Sequence, residues 1–285
     1  MTTTYLLLAL AILTLSSILY FPLSSIYMLK LTPRGTVRSL SVLSSILGGT
    51  TTMNQTPPTI RSYLPKHPDS KFPYTARDMQ PMDAGNDAQF YLPPRFVTHI
   101  DDNAIANLKQ YYHAHLPRKG TILDFCSSWI SHYPPDVFNA AKAGELTVLG
   151  TGMNEDELKR NPVLAAHMVQ DLNEDPEVQL PRQRGVELDA STCVVSIDYL
   201  TRPVEVLRSV HEQTVEGGKV HLAVSNRCFP TKVVGRWLKI GEEERLEMVG
   251  DYLYWAGWRE IEIVEVVKAT FMKDPLWVVR ATKRD

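Results

Sequence analysis

The chain of 285 residues and 32.2 kDa is long enough to form one large α/β domain or two smaller ones. Hydrophobic residues make up 44% of it and charged residues 22%, which excludes disorder throughout the chain. The formal net charge of -2 provides no strong positive field, so the composition predicts no nucleic-acid partner.

The first predicted element is an apolar segment at the N-terminus. Residues 1–29 contain no charged side chain, and residues 5–23 form a nearly continuous apolar stretch about as long as a bilayer-spanning helix. By the positive-inside rule, a retained anchor would leave the rest of the chain in the cytosol, because three basic residues follow it closely: Lys30, Arg34 and Arg38. Membrane association is therefore one interpretation, and a helix buried in the fold is the structural alternative.

Residues 30–68 have the composition of a leader or linker. No Asp or Glu precedes Asp69, whereas Ser, Thr and basic residues are frequent, as in organellar transit peptides. This composition fits a retained signal anchor and a cleaved leader for a plastid, mitochondrion or endomembrane system equally well. Four prolines predict that residues 50–68 form a linker outside the packed domain, which we expect to span residues 69–285: Pro57, Pro58, Pro65 and Pro68.

Strands and helices alternate through the predicted domain. Apolar spacing predicts helices at residues 98–116, 136–143, 154–159, 203–215, 231–240 and 242–255. Apolar runs rich in β-branched residues predict strands at residues 121–126, 145–149, 188–197, 219–225, 261–267 and 276–281, with a further strand ending near Asp171. Gly217 and Gly218 are expected to close the helix that begins at Pro203. This alternation indicates a doubly wound, mainly parallel sheet with helices on both faces.

Polar residues follow several of the predicted strands, where doubly wound sheets bind their ligands. They occupy residues 124–128, 150–154, 171–173 and 196–199. Asp124 stands late in a buried strand, where a carboxylate needs a partner. It is either a structural partner of nearby backbone donors or a ligand contact.

Other chemistries find little support in the sequence. The cysteines Cys126, Cys193 and Cys228 form no CxxC pair, so we interpret them as reduced core thiols and predict no metal site, even with His132 added. Gly150-Thr151-Gly152 begins like a dinucleotide fingerprint but lacks its third glycine. No P-loop, GxSxG elbow or HExxH motif occurs.

Several segments resemble the class I S-adenosylmethionine-dependent methyltransferases, in particular the type 11 group. ILDFCSSW (122–129) is similar to the first motif of that family, VQDLN (169–173) to the end of its third strand, and LDASTCVVSIDYL (188–200) to its fourth-strand motif. The most specific stretch is residues 203–226, PVEVLRSVHEQTVEGGKVHLAVSN. The resemblance covers about residues 90–283 and is that of a divergent branch.

This resemblance implies a seven-strand, Rossmann-like sheet with a C-terminal antiparallel hairpin and S-adenosyl-L-methionine as the cofactor. Asp124 would hold the amino-acid end of the cofactor, Asp171 would border the adenine, and Asn154 or Glu155 would replace the acid that normally binds the ribose. The residues implied in cofactor binding are Asp124, Cys126, Ser127, Ser128, Asn154, Asp171, Leu172, Ser196 and Asp198.

Methyl transfer from a sulfonium depends chiefly on alignment and on a water-poor pocket. A hydroxyl or amine acceptor also benefits from a group that removes its proton, for which His132 and Tyr199 are the candidates. Arg227 is either a clamp for an acceptor carboxylate or a surface salt bridge. Three residues before the core are expected to cover the pocket: Tyr91, Arg95 and His99. An inward-pointing arginine would favour a small anionic acceptor, such as a thioether-bearing hydroxy acid or another carboxylic acid.

Two other functions stay open at this stage. The chain has Cys126, Ser127 and Ser128 where the first motif of the resembling family usually has glycines, and its second strand lacks the usual acid at its end. These departures are compatible with a catalytically silent methyltransferase-like binding module. A retained apolar N-terminus would instead favour a membrane lipid or quinone as the methyl acceptor. The sequence leaves the acceptor atom, the compartment and the oligomeric state undetermined.

Overall fold

The computed structural model describes residues 58–270 and 273–284. The predicted anchor at residues 1–29 and most of the predicted leader lie outside these residues. Within the described part of the chain, no helix has the length and apolarity needed to cross a bilayer.

Five of the six predicted helices are present, and the structure adds three short helices that the sequence did not predict, at Ala76–Met79, Asp87–Phe90 and Gln179–Arg184. In chain order the helices are α1 (Ala76–Met79), α2 (Asp87–Phe90), α3 (Asp102–His115), α4 (Pro135–Lys142), α5 (Glu155–Arg160), α6 (Gln179–Arg184), α7 (Pro203–Glu212) and α8 (Glu242–Trp255). Helix α3 begins later than expected because Asp101 is its N-cap, with a carboxylate that accepts from the Ala104 amide at 2.7 Å.

The predicted helix at residues 231–240 is wrong. This segment is a loop with one 3₁₀ turn at Trp237–Lys239. Its backbone amides bond to other parts of the chain, since Val234 donates to the Asp198 carbonyl and Gly235 to that of Gln80. Tertiary contacts therefore satisfy the donors that a helix would have used.

The strands form one sheet in which the predicted parallel region is followed by antiparallel C-terminal strands. They are β1 (Thr59–Ser62), β2 (Gly120–Phe125), β3 (Leu146–Gly152), β4 (Ala166–Val169), β5 (Leu188–Val194), β6 (Thr214–Ser225), β7 (Arg259–Val267) and β8 (Leu276–Thr282). Their order in the sheet is β1-β7-β8-β6-β5-β2-β3-β4. Strands β4, β3, β2, β5 and β6 are parallel, and β8, β7 and β1 pair antiparallel. The predicted doubly wound sheet is confirmed, with eight strands in the described residues instead of seven.

The additional strand corrects the predicted linker. Strand β1 pairs with the outer edge of β7, with Thr59 opposite Glu265, so part of residues 50–68 belongs to the domain. Tyr63 follows β1 and is buried, and its hydroxyl donates to Asp251 in α8 at 2.6 Å. The hydroxyl of Tyr74 donates to the same carboxylate at 2.6 Å. The prolines of this segment led to the prediction of a linker. They do not exclude a strand, because an edge strand tolerates flanking prolines.

The two adjacent glycines lie inside a strand and do not end a helix. Helix α7 stops at Glu212, and β6 already begins at Thr214. The register between β5 and β6 shifts in this region, from Leu188 opposite Thr214 to Ala190 opposite Lys219. Gly217 lies at this irregularity with a φ of 81°, in the left-handed region that favours glycine.

Both faces of the sheet are covered. One core packs beneath α7 and α8, where Leu207 and Leu253 are fully buried. The other packs beneath α3 and α4, where Tyr112 and Val137 are fully buried. The carboxyl ends of the central strands are left open at one edge of this sandwich, and the site lies there.

Candidate active site

A pocket of about 340 Å³ lies beyond the carboxyl ends of β2, β3 and β5. From β2 the chain crosses to β3 on one side, whereas from β5 it crosses to β6 on the other, so the pocket lies at the switch point of the sheet. It is lined by the predicted residues Asp124, Cys126, Ser127, Ser128, His132, Asn154, Asp171, Leu172, Ser196, Tyr199 and Arg227. Tyr91, Arg95 and His99 also line it, as expected for a cover.

Asp198 is the predicted site residue that does not line the pocket. It lies in the 3₁₀ turn Ile197–Tyr199, and its side chain is buried behind the pocket wall. Burial raises the pKa of this carboxyl to about 7. The predicted cofactor contact is therefore corrected, because a 3₁₀ turn after β5 directs Tyr199, and not Asp198, to the pocket.

Asp124 is held by three hydroxyl groups. Its Oδ2 accepts from Ser127 and Ser131, each at 2.6 Å, and its Oδ1 accepts from Thr192 at 3.0 Å. Burial raises the pKa of the carboxyl, while these hydrogen bonds favour the ionised form. The donors are side-chain hydroxyls and not the backbone amides expected from the sequence. Asp124 therefore combines a structural role with a position on the pocket wall.

Left-handed backbone conformations concentrate at this site. Among the described residues, four other than glycine have a positive φ, and three of these line the pocket: Cys126 at 52°, His132 at 56° and Val195 at 43°. Cys126 stands where the first motif of the resembling family has a glycine, and it adopts the conformation that glycine favours. Val195 is the most unusual, because a β-branched residue is strained in this region.

Gly152 explains why the expected acid is absent at the end of β3. A Cβ at this position would lie 2.2 Å from the carbonyl oxygen of Ser127, so the turn after β2 leaves no room for a side chain. Asn154 cannot readily replace the acid. Its oxygen caps α5 by accepting from the amides of Asp156 and Glu157, and its amide nitrogen donates to the carbonyls of Tyr91 and Leu92.

Glu157 is a pocket residue that the sequence analysis missed. It lies in the first turn of α5 and lines the pocket, whereas Glu155 bonds to Lys159 at the surface and does not. One oxygen of Glu157 accepts from the Arg95 amide at 2.6 Å. The signal available in the sequence was its position three residues after the Asn154 cap, which places it on the same side of the helix.

The segment at residues 87–100 covers the pocket and is fastened at several points. The ammonium of Lys232 is buried between the carboxylates of Asp83 and Asp87, at 3.1 and 3.0 Å. The side-chain amide of Asn173 also donates to Asp87, at 3.0 Å. The cover is thus attached to the loops after β4 and β6, as well as to Asn154.

Arg95 brings an incompletely paired cation to the pocket. Its guanidinium carbon lies 4.6 Å from the ring centroid of Phe90, 5.5 Å from Phe229 and 5.6 Å from Tyr91. Its Nη2 donates to the Phe90 carbonyl at 2.9 Å, whereas its Nη1 is buried without a hydrogen-bond partner. Arg227 differs, since its side chain is 59% exposed and its Nε donates to Asp274 at 2.7 Å. Arg95 is therefore the stronger candidate to bind an anion.

His132 and Tyr199 differ in the chemistry they offer. Burial lowers the pKa of His132 to about 4, so its imidazole is neutral at pH 7, and its buried Nδ1 has no hydrogen-bond partner. The hydroxyl of Tyr199 accepts from the Phe229 amide at 2.8 Å, and burial raises its pKa far above neutral. Tyr199 therefore stays protonated, and of these two residues only His132 has a free nitrogen lone pair to offer.

The thiols are only partly core residues. Cys193 is buried, but Cys126 and Cys228 are partly exposed and line the pocket. In residues 58–270 and 273–284, no three His, Cys, Asp or Glu side chains converge to hold a metal ion.

No protein-family model and no curated protein matches the sequence. Solved structures similar to this chain include a SAM-dependent methyltransferase from Archaeoglobus fulgidus, with 12% identity and a TM-score of 0.43 over 64% of this chain and 95% of that one. Another is an S-adenosylmethionine-dependent methyltransferase from Mesorhizobium loti, with 16% identity and a TM-score of 0.42 over 61% of this chain and 96% of that one. A third is a TehB-like SAM-dependent methyltransferase from Corynebacterium glutamicum, with 16% identity and a TM-score of 0.41 over 64% of this chain and 88% of that one.

The resemblance implied a doubly wound parallel sheet with a C-terminal antiparallel pair of strands. The observed sheet has both features, and its pocket lies at the switch point beside β2. The described part of the chain therefore has the doubly wound, Rossmann-like sheet that this resemblance implies.

Proposed function

We propose that this protein transfers a methyl group from S-adenosylmethionine to a small anionic acceptor. The observation that carries the proposal is the pocket at the β2/β5 switch point, where acidic residues and an unpaired arginine nitrogen line one cavity. The cofactor carries positive charge on its ammonium and sulfonium groups, and four carboxylates line the pocket: Asp87, Asp124, Glu157 and Asp171. Leu172 and Val195 supply apolar surface for a flat ring.

The cofactor supplies an activated methyl group when bound, so the protein has to orient the partners and exclude water. Asp124 is fixed by three hydroxyls and can face an ammonium group without changing its rotamer. The left-handed turn at Cys126 shapes the floor of the pocket, which this residue lines. The fastened cover at residues 87–100 limits access of water.

Arg95 and His132 support the proposed acceptor class. A carboxylate of the acceptor would accept from the unpaired Nη1 of Arg95, which otherwise lacks a partner. The neutral imidazole of His132 would accept a hydrogen bond from an acceptor hydroxyl. A small acid methylated on a hydroxyl, a carboxylate or a thioether sulfur fits these contacts.

A membrane lipid or quinone is a second candidate acceptor. Leu92 and Val97 are 73% and 55% exposed in the segment that covers the pocket, so apolar surface flanks the opening. This acceptor would require that residues 1–29 keep the protein at a membrane. The corresponding localisation, whether membrane-associated or organellar, is part of this second proposal.

The cofactor part is tested by calorimetric titration of S-adenosylmethionine and S-adenosylhomocysteine into the full chain. Saturable binding of both supports the proposal, whereas no heat from a folded, monodisperse sample favours the silent binding module.

The acceptor part is tested with a panel of small acids and their neutral amides, using transfer of a labelled methyl group. We expect Arg95→Gln to abolish the preference for the acid over the amide. Arg236→Gln is the matched control, because Arg236 also stacks on an aromatic ring, 5.1 Å from Tyr74, but lies outside this pocket. An unchanged preference in Arg95→Gln would exclude Arg95 as the anion contact, and turnover of a lipid or quinone alone would favour the second candidate.

A further inference from the structure

Two thiols are neighbours at the floor of the pocket. Cys126 lines the pocket and is partly exposed, whereas Cys193 in β5 is fully buried. Cys193 belongs to the hydrophobic core against which Cys126 packs, and the neighbouring Cys126 thiol contributes to the raised pKa of Cys193. A reagent that enters the pocket therefore reaches one member of a thiol pair whose other member is shielded.

The fold explains why these two side chains meet. Strands β2 and β5 are parallel neighbours with Asp124 opposite Thr192, so Cys193 lies one residue and Cys126 two residues beyond that pair. If β2 continued regularly through Cys126, strands about 4.8 Å apart with a rise of about 3.3 Å per residue would place the two Cα atoms about 6 Å apart. Disulfides span Cα distances of about 4.4–6.8 Å.

The left-handed conformation of Cys126 completes the arrangement. In a regular strand, alternation would put the side chain of Cys126 on the same face as Asp124, opposite to that of Cys193. With a φ of 52° the chain leaves the strand geometry at Cys126, and its side chain packs against the core that contains Cys193 instead. The turn that shapes the pocket floor therefore also creates the thiol pair.

We propose that Cys126 and Cys193 are a modification site, at which a peroxide forms a reversible disulfide that closes the cofactor pocket. The closure, but not the disulfide itself, rests on the proposed function. In the first step the sulfur of Cys126 attacks a peroxide oxygen, which gives a sulfenic acid and one water. In the second step the sulfur of Cys193 attacks the Cys126 sulfur, the S–O bond breaks, and hydroxide leaves with the thiol proton as a second water. Overall, two thiols are oxidised by two electrons and one peroxide is reduced.

The buried position of Cys193 assigns the order of these steps. Burial raises the pKa of its thiol well above the usual value, which suppresses attack on reagents from solution. Cys126 is therefore the thiol that reacts first, and Cys193 is the thiol that resolves the sulfenic acid.

The disulfide is expected to disturb the pocket because the turn that carries Cys126 is tightly packed. A sulfur–sulfur bond of about 2.05 Å is much shorter than a non-bonded contact between two thiols, so Cys126 has to move toward the sheet. The next residue, Ser127, donates its amide to the Thr151 carbonyl at 2.7 Å, and its own carbonyl packs on Gly152. A displaced turn loses this fit, and we expect it to bind the cofactor product poorly.

The modification is tested on the full chain by titration with hydrogen peroxide, alkylation of remaining thiols and peptide mapping by mass spectrometry. We expect a linked Cys126–Cys193 peptide that dithiothreitol releases. Cys228→Ser is the matched control, because Cys228 is the other partly exposed thiol of the pocket, and this variant should give the same linkage. Cys193→Ser should stop at a sulfenic acid on Cys126, which dimedone traps. A Cys126–Cys228 linkage, or oxidation without any linked peptide, would overturn the modification site.

The closure is tested by titrating S-adenosylhomocysteine into reduced, oxidised and re-reduced protein. We expect affinity to fall about tenfold or more on oxidation and to return with dithiothreitol. Equal affinity of the reduced and disulfide forms would refute the closure. If the reduced protein does not bind S-adenosylhomocysteine, both the proposed function and the closure are refuted. Peptide mapping still decides whether the disulfide forms.

Discussion

Replacement of Asp124 by Asn separates its structural role from its role in ligand binding. An Asn carbonyl in place of Oδ2 still accepts from Ser127 and Ser131. The side-chain amide of the new Asn then faces the hydroxyl of Thr192. That hydroxyl can accept a hydrogen bond from the amide and donate one to the Tyr133 hydroxyl, which lies 2.6 Å from it. We therefore expect the free energy of unfolding of Asp124→Asn to stay within about 1 kcal/mol of the wild-type value.

Asp124→Asn should, in contrast, weaken cofactor binding strongly. The substitution removes the negative charge that would face the cofactor ammonium, and a hydrogen bond to a charged group contributes about 1.5–3 kcal/mol. The dissociation constant of S-adenosylmethionine should therefore rise about 10- to 150-fold. Calorimetry measures this change, and urea unfolding of the same sample measures stability. Wild-type affinity in a stable Asp124→Asn protein would refute the ligand role and leave Asp124 as a purely structural residue.

Asp124→Ala provides the comparison, because it leaves three buried hydroxyls without their acceptor. At about 1–3 kcal/mol for each unsatisfied group, we expect a loss of about 3 kcal/mol or more. Equal stability of the Ala and Asn variants would show that the hydroxyl network contributes little.

Three further outcomes follow from the structure. Cys126→Gly should keep wild-type stability, whereas Cys126→Val should lower it by about 1–2 kcal/mol, because a β-branched residue is strained at a φ of 52°; equal urea midpoints for both would contradict this. The pKa of His132 is lowered to about 4, so stability is lost as pH falls from about 6.5 toward 4, and His132→Asn should remove about 3 kcal/mol of that loss. His221, with a pKa of about 3, also lowers the stability at acidic pH, and it does so in both proteins. The same pH dependence of the free energy of unfolding in His132→Asn and in the wild type would refute the assignment to His132. Lys232→Met should destabilise the protein by about 1–3 kcal/mol, because it removes the cation from the partly exposed Asp87 carboxylate. Proteolysis should then cleave residues 87–100 first, and cleavage elsewhere would show that the cover is held by other contacts.

The sequence alone determined the class of fold. Alternating strands and helices indicated a doubly wound sheet. The strands from β2 to β8 were located to within a few residues, because buried strands are rich in apolar and β-branched residues. It also identified most of the pocket, since the carboxyl ends of parallel strands meet at one edge of a sheet. Asp124, Ser127 and Asp171 line the pocket for this reason.

Only the tertiary structure decided which residues are free to act. Asn154 looked available for a ribose, but its side chain is used by the α5 cap and the cover. Arg227 and Arg95 were equivalent in the sequence, and only the fold pairs Arg227 with Asp274 while leaving Arg95 Nη1 unpaired. Such partners are distant in the chain, and no local pattern specifies them.

The same reason explains the errors in the predicted elements. Strand β1 gains its stability from pairing with β7 and from Tyr63 on Asp251, contacts that connect the two ends of the chain. Residues 231–240 have a helical pattern, but their amides bond to segments far away in the sequence. Local periodicity indicates which side chains become buried. The backbone conformation of these two segments depends instead on hydrogen-bond partners that are distant in the sequence.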